Sequence, residues 1–239
     1  MSGAAKVEIP RRAAILDAAL TCFLTSGVAG TTIDALQRES AASVGSIYHF
    51  FGSKERLAAE LYLDILGEYL QTYLEALESS RSARGGVEGS VRAHLRWVAM
   101  HGARARYLFN CRESEVLQES RPAVGRLNEQ FYGQANEWLQ PHVQCGRIRS
   151  LPPRLCQALW MGPSVEYARL WLARSGDTFN ILEGERALAC SSVRATSLPR
   201  SLLRRLPPRH SKRSSERQAG LRRATPLGTW TCFHPRAWL

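Results

Sequence analysis

"SVGSIYHFFGSKERL" occupies Ser43 to Leu57, and its composition does not suit a helix built only for packing. Gly45 and Ser46 cost helical stability and bury little. Ser43 is a good N-cap for a short helix from Val44 to about Phe50. Gly52 breaks that helix, and Ser53 caps the next one. Within the short helix only Ile47 is strongly apolar in the first turn. Val44, Gly45 and Ser46 are small, so the backbone there can come close to something outside the protein. Tyr48 adds a hydroxyl on a long rigid arm, and His49 adds a ring nitrogen.

Upstream, Ile15, Leu16, Ala19, Leu20, Phe23 and Leu24 recur at helical spacing from Arg11 to Thr25. Pro10 stands where a first-turn proline is tolerated, and Gly27 acts as a stop. A second helix starts at "GTTIDALQRES", with Thr31 or Thr32 as its cap and Asp34 in its first turn. It ends near Ser40. Downstream of Ser53, a long stripe of Leu57, Leu61, Ile65, Tyr69 and Leu77 reaches about Glu78. Two short helices joined by a tight turn and braced by a longer one form a helix-turn-helix. The second helix of such a pair enters the major groove N-terminus first, so Ser43, Val44, Gly45, Ser46, Tyr48 and His49 are candidate DNA contacts. Lys54 joins them: it occupies a helix N-terminus, where the dipole disfavours a cation but exposed N–H groups and an ammonium together suit a phosphate.

Residues 31–57, "TTIDALQRESAASVGSIYHFFGSKERL", with the preceding "RRAAILDAALTCFLTSGVAGTT", resemble the DNA-binding domain of TetR-family transcriptional regulators. The matching positions are Thr32, Ser43, Gly45, Tyr48, Phe51 and Lys54. The family often has glycine where this chain has Ala41, and histidine where it has Phe50. Ala41 therefore either avoids positive φ or carries strain.

The expected fold is all-α. Residues 9–69 form the three-helix DNA-binding domain (motif 32–51), and "SSRSARGG" (79–86) is the joint. Helical patterns near 87–101, 103–110, 122–140, 153–174 and 181–189 make a second domain over 83–189. The resemblance implies that this second domain holds a small-molecule effector and that its last two helices form a homodimer. It further implies a repressor that a ligand releases from a pseudo-palindromic double-stranded DNA operator. Candidate pocket aromatics are Trp97, His101, Tyr107, Phe109, Phe131, Trp138, Trp160 and Tyr167. The helix over 154–173 contains Gly162-Pro163, which predicts a kink, and its apolar residues cover more than one face.

The net charge of +11 is misleading about the body of the chain. Residues 190–239 carry 11 Lys+Arg and a single Glu, so +10 of the charge lies there and +1 remains for the rest. That Arg/Pro/Ser-rich tail has no apolar period, and its composition predicts disorder. The six cysteines (22, 111, 145, 156, 190, 232) show no CxxC or metal-ligand spacing. His94 and His101 share a helical face but lack a third ligand, so no metal is expected, and no cofactor. No catalytic motif stands out, and an enzyme is not expected. Neither a secretory leader nor an apolar run of membrane-spanning length is read, and the protein is expected in the cytoplasm, away from membranes. Two other classes fit parts of the sequence: a helical small-molecule-binding protein or enzyme that no longer binds DNA, and a nonspecific nucleic-acid binder acting through the basic tail.

Overall fold

The computed structural model describes residues 3–110, 115–173 and 179–197. These are almost entirely helical: α1 (Gly3–Gly30), α2 (Ile33–Ser40), α3 (Val44–Phe51), α4 (Lys54–Glu78), α5 (Ala83–Met100), α6 (Gly102–Asn110), α7 (Glu115–Gln144), α8 (Pro153–Ala173), a 3-10 turn (Ile181–Gly184) and α9 (Glu185–Thr196). Among the described residues the β structure is one isolated bridge, between Ile148 and Ser197.

Local chemistry sets the boundaries. Thr32, Ser43, Ser53 and Ser82 each accept a hydrogen bond from the backbone N–H three residues on, which satisfies one of the donors a helix start leaves open. Thr32, not Thr31, caps α2. Thr31 is buried, and its hydroxyl donates to the Gly27 carbonyl at 2.7 Å.

Helix α4 carries the architecture. Leu57, Leu61 and Ile65 pack with Ile15, Ala19, Leu36 and Ile47, while Tyr69, Tyr73 and Leu77 pack among α5 and α7. One continuous core therefore runs through both halves of the molecule. Helix α6 bridges them as well: the Tyr107 hydroxyl donates to the Ala58 carbonyl at 3.0 Å, and its ring stacks on Phe23 of α1.

Four expectations are corrected. Helix α5 begins at Ala83, inside the stretch taken as a joint. Gly86 lies within this helix, and a Cβ there would lie 2.1 Å from the Trp138 ring, so this glycine serves close packing. Helix α7 continues through Pro122 and Pro141, where the sequence had set its limits. Arg11–Gly30 is by length and composition apolar enough to cross a membrane, contrary to expectation; its Ile15, Ala19 and Phe23 are buried against the protein's own core. Finally, the closing helix passes the compositional break at Cys190 and reaches Thr196, whose carbonyl accepts from Arg149 N–H at 2.8 Å. The remainder of the 190–239 tail, from residue 198, lies outside the described residues.

A buried polar chain crosses the second half. Tyr73 and Tyr69 hydroxyls lie 3.1 Å apart, Tyr69 meets His94 Nδ1 at 2.9 Å, and His94 Nε2 meets the Ser164 carbonyl at 3.2 Å. Complete burial pushes His94 down to about 4. The unfolded ring takes its proton near 6.5 and the native ring only near 4, so native stability falls as pH drops through that window and is unaffected above it. Between pH 7.5 and 5 this loss should reach about 2 kcal/mol. Denaturant titrations of the native chain and His94→Gln at both pH values check it: the variant should lose most of this pH dependence, and equal slopes in the two proteins would refute the assignment.

Candidate nucleic-acid interface

The turn between α2 and α3 is held by short polar contacts. Ser40 Oγ donates to the Leu36 carbonyl at 2.6 Å and accepts from the Ala42 N–H at 3.2 Å. Ala41 adopts φ 52°, ψ 18°, the only non-glycine with positive φ among the described residues. Strain, the second of the two expectations, is what the turn contains. A Cβ in this conformation costs roughly 1–2 kcal/mol.

Helix α3 is fastened by Ile47 and Phe51, both buried against α1, α2 and α4. Burying Ile47 contributes about 2 kcal/mol. The opposite side is open: Ser43, Gly45, Tyr48 and His49 are exposed, Val44 and Ser46 half-buried. A Cβ added to Gly45 would meet nothing nearer than Ser43 Oγ at 3.9 Å. The protein itself therefore does not require glycine there. Ser43 and Ser46 hydroxyls are 2.9 Å apart, so the two small polar side chains lie together at the helix start. His49 stands edge-on to Phe50.

Lys54 has an intramolecular task that sequence reading did not assign. Its Nζ donates to the Ala29 carbonyl at 3.1 Å and the Thr31 carbonyl at 2.8 Å, tying α4 to the α1–α2 connection. Two of its three N–H groups are used in this way. Arg12 pairs with Glu60 and lies 5.4 Å from the centre of the Phe51 ring, bracing the same corner from α1.

This arrangement has known counterparts. Residues 15–61 match the family described as bacterial regulatory proteins, tetR family. The uncharacterized HTH-type transcriptional regulator YhgD of Bacillus subtilis (strain 168) is 33% identical over 151 residues, covering 62% of this chain and 78% of that protein. The chain belongs to the TetR family. The HTH-type transcriptional repressor KstR2 of Rhodococcus jostii (strain RHA1) is 29% identical over 141 residues, 59% of this chain and 69% of the relative. The crystal structure of the regulator FadR from Bacillus subtilis in complex with stearoyl-CoA superimposes with a TM-score of 0.65 at 18% identity, over 76% of this chain and 97% of that one. This TetR-family member is thus a helix-turn-helix transcriptional regulator, and the relatives it matches are regulators, not enzymes.

The family's second half here contains a small, partly open apolar cavity between α4, α5, α7 and α8. Of the aromatics singled out in the sequence, Phe131 and Trp160 line it. The others are engaged elsewhere. Trp97 donates to Glu68 and carries the His101 ring, Phe109 packs on Tyr69 and His94, and Tyr107 bridges to α1. Trp138 donates to the Ser80 carbonyl beneath Gly86, and Tyr167 packs on Phe179. Sequence reading missed Tyr73, Ser90, Tyr132, Asn136 and Gln157 as lining residues. Tyr73 lies one turn beyond Tyr69 on α4, and polar residues scattered among apolar neighbours leave no periodic signal.

Two outcomes follow for this corner. Ala41→Gly should stabilise the chain by about 0.5–1 kcal/mol, relief of strain outweighing the extra freedom of the unfolded glycine. A denaturant midpoint that falls instead would show that Ala41 is not strained. Gly45→Val should leave stability within a few tenths of a kcal/mol and weaken operator binding at least tenfold, since a branched side chain holds α3 off the groove. Parallel loss of melting temperature and binding would make Gly45 a packing residue.

Proposed function

We propose that this regulator is a repressor that grips a pseudo-palindromic operator as a homodimer and lets go when a small apolar molecule enters the cavity. The observation that carries the DNA half is the open side of α3: a capped helix start, a glycine with empty space above it, and Tyr48 and His49 pointing away from the core. In this reading Ser43, Val44, Gly45 and Ser46 let the backbone approach. Tyr48 and His49 reach phosphates or base edges, and Thr32 and Lys54 hold the backbone on either side of the groove. Residues 9–69 act as the DNA-binding domain. The effector and dimer domain begins near residue 83 and continues through α9. The protein works in the cytoplasm, where the operator is.

Support for the effector comes from the cavity, and from FadR, which was crystallised with stearoyl-CoA. Support for repression comes from KstR2, a repressor by name. Support for the dimer lies on the outer side of α8 and the 3-10 turn, where Leu155, Leu170 and Leu182 are exposed in the single chain. Exposed apolar side chains on α8 and on the turn that leads into α9 fit a two-fold interface.

Selection of bound sites from random duplexes, together with the mass in solution, tests the proposal. The expected result is enrichment of paired half-sites by a species of twice 26.7 kDa. Lys54→Ala and Tyr48→Phe should weaken binding several-fold at fixed salt, and Lys54→Ala should lower the salt slope by about one contact. A monomer at micromolar concentration, or no enriched site, would defeat the proposal.

A further inference from the structure

Residues 31–57 hold three lysine and arginine side chains, and two of them are occupied within the protein. Arg38 Nε donates to the Asp34 carbonyl at 3.3 Å, and Lys54 gives two N–H groups to the Ala29 and Thr31 carbonyls. On α1, Arg12 pairs with Glu60. Arg56 differs from all of these. It is exposed, and its guanidinium makes no hydrogen bond or ion pair with the described residues. Its five N–H donors are open.

The place of Arg56 is set by two contacts. Its backbone N–H donates to Ser53 Oγ at 3.1 Å, in the first turn of α4. From there the side chain lies over the end of α3: a Cβ on Gly52 would be 3.5 Å from Arg56 Nη1 and 3.8 Å from its Cδ. Gly52 is the C-cap of α3. Gly45, Tyr48, His49 and Gly52 are all exposed and stand at i, i+3, i+4 and i+7, the spacing of one helix side. Arg56 thus puts an unpaired cation at the C-terminal end of the row that begins at the open start of α3. The start of α4 disfavours a cation while the end of α3 attracts one, so a helix-dipole role is the competing explanation.

We infer that Arg56 is a further DNA contact, whose guanidinium binds a backbone phosphate beside the C-terminal end of α3. The inference rests on the reading of the open side of α3 as the DNA face. An exposed arm without a partner suits a phosphate oxygen, which accepts from any of its N–H groups. A base edge needs an arm held in one geometry. In a body that is close to neutral outside the last residues, one such charge is a sizeable share of the attraction to DNA.

The test is fluorescence anisotropy of the full chain on its selected operator and on a random duplex, at about 50 and about 200 mM salt. Arg56→Gln should weaken both duplexes by a similar factor, about fivefold at the lower salt and under about twofold at the higher, as loss of one phosphate contact requires. Arg56→Lys should restore most of that loss, because a phosphate needs the charge and not the planar fork. Arg81→Gln removes an exposed arginine beyond the far end of α4 and should change neither affinity. Equal effects of Arg56→Gln and Arg81→Gln, or a loss confined to the operator, overturn the inference. So does a lower melting temperature with an unchanged salt slope, which makes Arg56 a partner of the α3 dipole. In each of these cases the native chain still prefers its operator, and the reading of α3 stands. If the native chain selects no site, that reading fails and the inference with it. Should Arg56→Gln not fold, phenylglyoxal modification of the native chain decides. Operator should protect Arg56 and not Arg81, and equal reactivity of Arg56 with and without operator overturns the inference.

Discussion

Helix α4 is constrained on nearly every side at once, and the rest of the molecule is arranged around that constraint. Its first turn holds Lys54 against the end of α1, and its next two turns give Leu57 and Leu61 to the core that seats α3. Two to three turns further on, Tyr69 and Tyr73 belong to the polar chain beside the cavity. From Lys54 to Tyr73 the helix covers about 28 Å at 1.5 Å per residue. A helix buried along this length cannot shift at one end without repacking at the other, because close-packed cores deform in discrete steps. The DNA-facing and cavity-facing groups are thus joined by one rigid element, not by a flexible linker.

A second, polar set of contacts fastens the same two halves. Glu68 on α4 accepts from Trp97 Nε1 at 2.8 Å and from Arg104 Nη1 at 2.7 Å, and Arg104 also reaches Asp64 and lies 3.9 Å from Asp17 of α1. The Trp97 ring in turn lies against Tyr69, their centres 4.8 Å apart. The Glu68–Arg104 pair therefore links Trp97 on α5 to Asp17 on α1. The exposed ion pairs in this set are each worth little. The Trp97–Glu68 bond and the ring contact hold position more firmly, since their geometry is fixed by packing.

What could be read from the sequence divides along the range of the interactions. The caps at Ser43 and Ser53 are local events within four residues, and they were legible. So was the open, glycine-bearing start of α3, because its residues are wrong for a buried helix. Gly86 was misread as a turn because its reason is Trp138, far along the chain. The end of α9 was misread because its buried residues are Ala189, Ser192 and Thr196, small or polar, packed by hydrogen bonds such as Ser192 Oγ to the Trp160 carbonyl at 2.6 Å. A burial stripe without large apolar side chains looks like a loop. The cavity was the least legible, since large aromatics such as Trp97 and Tyr107 turned inward to make structural hydrogen bonds while Asn136 and Gln157 came to line it.

The recognition helix also shows where stability has been given up. Gly45 and Ser46 lower helical propensity, Ala41 is held in a left-handed conformation, and Tyr48 leaves 48% of its surface in water. Against these losses stand the caps, the burial of Ile47 and Phe51, and the Lys54 clamp. The described body is close to neutral, with the chain's excess charge in its last residues, so attraction to phosphate cannot substitute for accurate placement of this helix. Geometry must supply the affinity. Lys54 contributes to that placement, because its ammonium ties the start of α4 to the Ala29 and Thr31 carbonyls just ahead of α2 and so fixes the frame in which α3 is seated.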